Sequence, residues 1–490
     1  MSIGITDTSP YKRLDVTSTK ILIFLIIVIL IISILFGALT TKITLKRSLV
    51  IIGVVAYLAF TIYRLDIFDY LMLFLFIFLF FHVGRMCTGI LGYTLSGIFL
   101  DNTLPFWPLL LFLFIGNNAL HRKLKIYRTP SDKWILLFLI VFTLSVMYAF
   151  LVVGNHWISI LLDAFRYSRF IFLLYIIICV LDRRDKLERF NNFIFLLAAF
   201  FGIYGIIEFI FFPNISFKGE LFFIRTRVKS IFVHPNTYAG YLDLTIPFVF
   251  AFAIYLKKKI NKIFLWCLFI LLYINMILTF SRASFLTVNL ALLIMVVLRY
   301  GKKAFWIWLL MIGILVLIGT TTPLIQRQLT LFGTAKLTQQ QLDIFRVYEY
   351  FNLLDGIKNK PIFGSGLGSK TMGMYVTLAK LGHYEKSYHP VKVMYAHHSM
   401  LLDIAGRMGI PVLFSFIMVF ITTFIALCRA YKFTSDEYLK ANIFGVIGAL
   451  IAFSPHQIVD NFIDGNIFIY FIFILSIGIV AWRYVHNLED

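Results

Sequence analysis

The chain is a succession of apolar runs of about 20 residues, parted by short basic clusters, and a run of that length is what a helix needs to cross a bilayer. The sequence has 490 residues, 60% of them hydrophobic and only 14% charged. A soluble domain is about a quarter charged, and no water-soluble fold could bury this much apolar surface. These features predict an all-α polytopic integral membrane protein. They exclude a disordered chain, a secreted disulfide scaffold and a nucleic-acid-binding domain. The four cysteines, Cys87, Cys179, Cys267 and Cys428, are scattered with no CxxC or His cluster, so no disulfide framework and no metal site is expected.

Spans are expected at Ile21–Leu39 (a retained anchor rather than a signal peptide), Ser48–Tyr63, Trp134–Val153, Ile158–Val180, Phe190–Phe212, Tyr238–Leu256, Ile263–Thr279, Ala283–Leu298, Phe305–Thr321, Met400–Leu427, Tyr438–Phe453 and Ile467–Trp482. Two or three more fall within Ile67–Asn118, giving roughly 13–15 in all. Four regions follow: an N-terminal transmembrane region (1–190), a transmembrane core (191–321), a large extracytoplasmic loop (322–398) and C-terminal helices (399–490).

Lys and Arg concentrate in cytoplasmic loops. His121–Lys133, Asp182–Arg189, Lys257–Lys262, Arg299–Lys303 and Arg429–Lys432 are assigned there. The segments left outside are Gly154–Trp157, Pro213–His234, the Phe280–Arg282 junction, Thr322–His398 and Ser454–Asn466. Three of these break the charge rule. Pro213–His234 carries Lys218, Arg225, Arg227 and Lys229 against Glu220 alone, the long loop is basic by about +5, and Arg282 opens a span in TFSRASF. Snorkelling would account for each taken singly. One anion at the outer face accounts for all three, and an anion with a lipid tail is a lipid-linked phosphate or diphosphate.

Several segments could carry chemistry. In RTRVKSIFVHPNTYAGYL, His-Pro-Asn marks a turn, with Asn236 expected to cap the following helix and offer its N-terminus to a phosphate. Ser281-Arg282 presents a guanidinium fork at a span end. Gln341–Ile357 has the spacing of an interfacial helix and carries Arg346. Gly364, Gly366 and Gly368 superficially suggest a nucleotide loop, but neither a βαβ unit nor a Walker lysine accompanies them, so a tight turn is expected. His397 and His398 sit where the long loop re-enters the membrane and could move a proton. SPHQIVDNFIDGN, with His456, Asp460 and Asp464, is expected to be mostly loop, with a carboxylate able to face the site.

Taken in order, these segments resemble the O-antigen ligase and Wzy-type polysaccharide polymerase superfamily, over roughly Phe190–Val412. Arg227, Ser230, Phe232, Pro235 and Asn236 match an Arg-x-x-(Gly/Ser)-x-Phe-x-x-Pro-Asn pattern, with Ser230 where Gly is usual. Ser281-Arg282 matches a Ser-Arg at a helix start. Asn359, Pro361 and IFGSG follow the surface helix. His398-Ser399 and Gly409 match a His-(Asn/Ser/Gln), nine residues, Gly pattern, although Val412 replaces a second glycine.

The resemblance implies a GT-C-like glycosyltransferase of the bacterial plasma membrane, working on the extracytoplasmic face without metal, nucleotide or other cofactor. It would move glycan from an undecaprenyl-diphosphate carrier to an acceptor hydroxyl with inversion. Arg227 and Arg282 would hold the diphosphate. His398, favoured over His397 by the spacing, would handle the acceptor, while Arg225, Lys229, Arg346 and His397 would assist binding. Partners implied are the lipid-linked glycan, the growing polysaccharide, membrane lipid, and a chain-length regulator and flippase. A polymerase for a capsular, exopolysaccharide or teichuronic-type polymer is expected, the Lys- and Ile-rich composition suiting a Gram-positive source. An O-antigen-type ligase is the alternative. A lipid-linked oligosaccharide flippase or transporter is the rival class, because Asp163, Arg166, Arg169, Glu208, Asp243, Asp403 and Arg407 lie in or near apolar stretches.

The topology predicts a labelling pattern. In a cysteine-free background, single cysteines within 213–234 and 322–398 should react with an impermeant thiol reagent from outside, and those within 257–262 should not. The opposite pattern would put the basic loops in the cytoplasm.

Overall fold

A computed structural model describes residues 68, 71–72, 75, 127–155, 157–211, 227–232, 234–301, 305–306, 350, 353–354, 356–368, 398–463 and 466–486. The chain divides into two compact units, residues 1–74 with 83–113 and residues 75–82 with 114–490. Apart from residues 68, 71 and 72, the described residues belong to the second unit. The expected spans before residue 127 and most of Phe305–Thr321 and Gln341–Ile357 lie outside them, as do Arg225, Arg346, His397 and Asp464.

The described residues of the second unit build ten α-helices: α1 (Asp132–Tyr148), α2 (Trp157–Val180), α3 (Arg184–Phe211), α4 (Pro235–Tyr255), α5 (Lys259–Leu278), α6 (Arg282–Tyr300), α7 (Met400–Met408), α8 (Ile410–Phe433), α9 (Glu437–His456) and α10 (Asn466–Val485). A π turn, Ala149–Val153, continues α1. Among the described residues, eight helices are long and apolar enough to cross a membrane, which makes this a multi-pass membrane protein. The helix α2 is long enough too, but Asp163, Arg166 and Arg169 place charges within its apolar stretch.

One expected span is corrected. Met400–Leu427 is not a single helix, because it breaks at Gly409 into α7 and α8. Gly409 adopts φ +94, and a Cβ there would lie 1.9 Å from the Ile362 carbonyl oxygen. Pro411 then opens α8 in the first turn, where a missing N–H costs nothing.

Burial orders the bundle. The apolar stretch of α4 is 94% buried and that of α10 89%, against 28% for α1 and for α5. Helices α4, α9 and α10 are therefore central, with α1, α3, α5 and α8 around them. The outer helices expose Leu136, Leu196, Ile263 and Phe414. Water would penalise such a belt, whereas lipid accepts it.

Lipid also removes the hydrophobic drive between helices, so close packing must supply it. In α9, Ala441, Gly445, Ala449 and Ala452 leave room for neighbours. A Cβ on Gly445 would come 2.8 Å from the Phe248 ring and 3.1 Å from the Phe248 Cα, and one on Gly448 would meet Pro247 Cβ at 2.9 Å. Pro247 removes the amide that would serve the Asp243 carbonyl one turn back, loosening α4 beside that residue.

The two ends of the bundle differ. At one end the basic loops meet: Arg184 bonds Asp436 at 2.6 Å, Lys257 pairs with Glu437 at 3.0 Å, and the Tyr484 hydroxyl donates to the Asp182 carbonyl. At the other end the five segments expected outside meet. Asn155 donates to the Leu367 carbonyl, Arg227 to that of Thr279, Asn236 to Asp460, and the Met400 amide to the Gln457 carbonyl. The alternation read from Lys and Arg thus matches which helix ends sit together.

Because Gly445 sets the α4–α9 approach, Gly445→Leu should cost about 1–3 kcal/mol through overpacking. Thermal unfolding in detergent should show a lower midpoint than wild type. An unchanged midpoint would mean that the contact is slack.

Candidate functional site

The loop before α4 is held from two sides. The Val228 amide donates to the Leu278 carbonyl, and the amides of Lys229 and Ser230 both donate to Glu208 of α3, at 3.1 and 2.7 Å. Ser230 has φ 52, a left-handed conformation that favours glycine, which explains why Gly is usual there. Here the Glu208 bond and a hydroxyl bond to the Phe201 carbonyl offset the strain. Phe232 is buried against Phe201, Tyr238 and Tyr241, anchoring the motif in the core.

The cap of α4 differs from expectation. His234, not Asn236, is the N-cap, its Nδ1 accepting from the Asn236 amide at 3.1 Å. With Pro235 at the first helical position, Asn236 is left with its side chain available for other work. Its Oδ1 accepts from Arg227 Nη2 at 2.6 Å, and its Nδ2 donates to Asp460 at 3.3 Å.

Arg227 is fixed by a second bond, from Nε to the Thr279 carbonyl at 2.8 Å. Thr279, Phe280 and Ser281 form the tight turn from α5 into α6. Phe280 is buried with φ 52, and Ser281 is the N-cap, accepting from the Ser284 amide. Arg282, half-buried, is the first residue of α6. Arg227 therefore leans on the turn that presents Arg282, and the N-terminus of α6 adds its own positive end. An arginine fixed beside a helix N-terminus is an arrangement that can receive an anion.

Beneath this lies a group of residues that sequence reasoning did not assemble. His456, the last residue of α9, is wholly buried. Its Nδ1 hydrogen-bonds Asp243 of α4, and its Nε2 lies 3.0 Å from Asp460. The other Asp243 oxygen accepts from the Ser284 hydroxyl of α6. A continuous path runs Ser284, Asp243, His456, Asp460, Asn236, Arg227. Its one local signal was the His456–Asp460 spacing of four residues. Asp243 and His456 are 213 residues apart, and no pattern joins them.

His398 lies at the same end. Tyr350 donates its hydroxyl to the carbonyls of His398 and Ile458, at 3.3 and 3.0 Å, and the Met400 amide bonds Gln457. His398 thus sits on a strip of chain tied to the turn that follows His456. Ser399 caps α7. On the far side of α7, buried Arg407 bonds Asp403 at 2.7 Å and lies 3.7 Å from Asp163, while the Tyr167 hydroxyl bonds Asp403. Residues 361–368 wrap this anchor: Ser365 and Gly366 donate to the carbonyls of Gly406 and Arg407, and the Gly368 amide donates to Asp163. Gly364, Gly366 and Gly368 all have positive φ, so the glycine run forms the tight turn expected of it.

The structure thus joins Arg227 directly to the turn before Arg282 and sets His398 beside the His456–Asp460 turn. Lys229 is tied to Glu208 of the scaffold, its amide donating to that carboxylate at 3.1 Å. Among the described residues no cluster of three or more His, Cys, Asp or Glu could hold a metal ion. Comparison with curated proteins found no match. Residues 266–417 match the family model for O-Antigen ligase (Wzy_C). That segment contains the Ser281-Arg282 turn, the glycine turn, His398 and Gly409, and over it the chain is similar to the O-antigen ligase and Wzy-type superfamily.

Proposed function

We propose that the protein is a polymerase that joins undecaprenyl-diphosphate-linked oligosaccharide units into a cell-surface polysaccharide on the outer face of the plasma membrane. The observation that carries this reading is the Arg227–Thr279 contact, which puts one guanidinium against the turn that presents the other. Arg227 and Arg282 hold the donor diphosphate. The acceptor hydroxyl oxygen attacks the anomeric carbon, the bond from that carbon to the diphosphate oxygen breaks, and the configuration inverts. The diphosphate leaves with the bonding electrons, its new charge met by the two arginines, so no general acid is required. The hydroxyl proton passes to His398. A sugar hydroxyl is a poor nucleophile, and a base held beside it on the rigid α7 start is what the step needs.

An O-antigen-type ligase is the second reading, favoured by the description of the matched family. It uses the same chemistry with a different acceptor. Lipid-linked glycans extracted from a deletion strain separate the classes. Accumulated single repeat units on the carrier indicate a polymerase, full-length polymer still on the carrier a ligase, and precursor retained on the inner leaflet a flippase.

Arg282→Lys keeps the charge but loses the planar fork, so polymer should largely disappear at normal protein level. Polymer at wild-type yield would return Arg282 to an interfacial, snorkelling role.

His398→Ala should lower turnover by about 10²–10⁴-fold with donor affinity little changed. Single-turnover rates beside equilibrium donor binding would check this split. Near-normal turnover would move the base elsewhere.

A further inference from the structure

We infer that Asp243, His456 and Asp460 form a positioning triad, centred on the buried His456, that fixes the Arg227 guanidinium relative to the start of α6, and so sets the geometry between the two arginines. The inference rests on the donor-binding role proposed for Arg227 and Arg282.

Four observations carry it. His456 is wholly buried with a carboxylate at each ring nitrogen. An ionised carboxylate only accepts hydrogen bonds, so a ring nitrogen facing one carries the proton. The triad branches at both ends toward the arginine segments. Asp243 takes the Ser284 hydroxyl, and the amide of Ser284 closes the Ser281 cap beside Arg282. Asp460 takes the Asn236 amide, whose oxygen receives Arg227. Those two bonds also fix which way the Asn236 amide points, because only this orientation donates to Asp460 and accepts from Arg227. The charges balance as well: two carboxylates face one imidazolium and, through Asn236, one guanidinium. Taking them out of water is costly, and apolar residues would pack the α4–α9 contact more cheaply. A geometric function is what the cost obtains. The edge of the Phe462 ring closes the remaining side of His456 at 5.2 Å.

The triad acts through other groups, so its residues are positioning residues and not catalytic ones. Its members come from α4 and from the end of α9, outside residues 266–417. The Arg282 turn of the matched segment is thus braced by elements on both sides of it in sequence.

The test uses the full chain in nanodiscs and farnesyl diphosphate as the probe, with unfolding temperature measured in parallel and binding read well below it. Arg227→Ala should lose affinity strongly. His456→Ala should weaken binding about 10–100-fold, the range expected when a binding group is misplaced by about 1 Å. The double variant Asp243→Asn with His456→Gln should recover most of the loss, since Gln can donate to Asp460 and no carboxylate is left without a counter-charge. Should His456→Ala fail to fold, Asn236→Ala leaves the triad whole and cuts only its link to Arg227, and the same weakening is expected. Wild-type affinity in folded His456→Ala or Asn236→Ala, while Arg227→Ala loses binding, would overturn the triad alone. Wild-type affinity in Arg227→Ala would remove the arginine clamp and the positioning role together.

Discussion

Charges withdrawn from water in matched sets hold the polar end of this bundle together. A single buried charge in such surroundings costs several kcal/mol, whereas a set that is paired and hydrogen-bonded can persist and impose its geometry. Two such sets stand among the described residues. Arg407 with Asp403 and Asp163 pins the short helix α7 to α2. Asp243, His456 and Asp460 pin α4 to α9 and reach α6 and Arg227. The first set lies behind His398 and the second behind the arginines. Arg227 is therefore the outer member of a polar network that runs through Asn236 and Asp460 to His456.

Much of the fold was legible in the sequence, because lipid imposes one strict rule. A span must be apolar for about 20 residues, and Lys and Arg mark one side of the membrane. Hence the described helices from Asp132 onward fall where hydropathy puts them, and the segments that meet at each end are those that charge alternation groups. The break at Gly409 escaped that rule because both α7 and α8 are apolar, so hydropathy runs through. Only the Gly-Ile-Pro sequence marked the boundary, a helix stop followed at once by a helix start. The cap of α4 was a choice between two competent residues, and Pro235 decides it: with proline at the first helical position the cap falls on His234.

The site was legible in a different measure. Basic residues in segments expected outside singled out Arg227 and Arg282, and the motif singled out Asn236, expected as a cap but found bonded to Arg227 and Asp460. The carboxylates and imidazole behind them were seen only as isolated charges in apolar stretches. Nothing local distinguishes Asp243 from a charge lining a transport path. Its partners come from elsewhere in the chain, His456 from another helix and Ser284 from a third. A one-dimensional reading finds residues that violate a rule, but it does not find which violations cancel one another.

The order in which the chain is made gives this arrangement a consequence in time. A ribosome delivers Asp243 long before His456, which follows 213 residues later. Until α9 and its closing turn are inserted, Asp243 has no counter-ion and Asn236 has no Asp460 to orient it. A nascent chain can therefore hold both arginines, even the whole matched domain, and still lack the settled pair. Insertion of α9 and the turn after it is thus the step that completes this network, well after both arginines have first appeared.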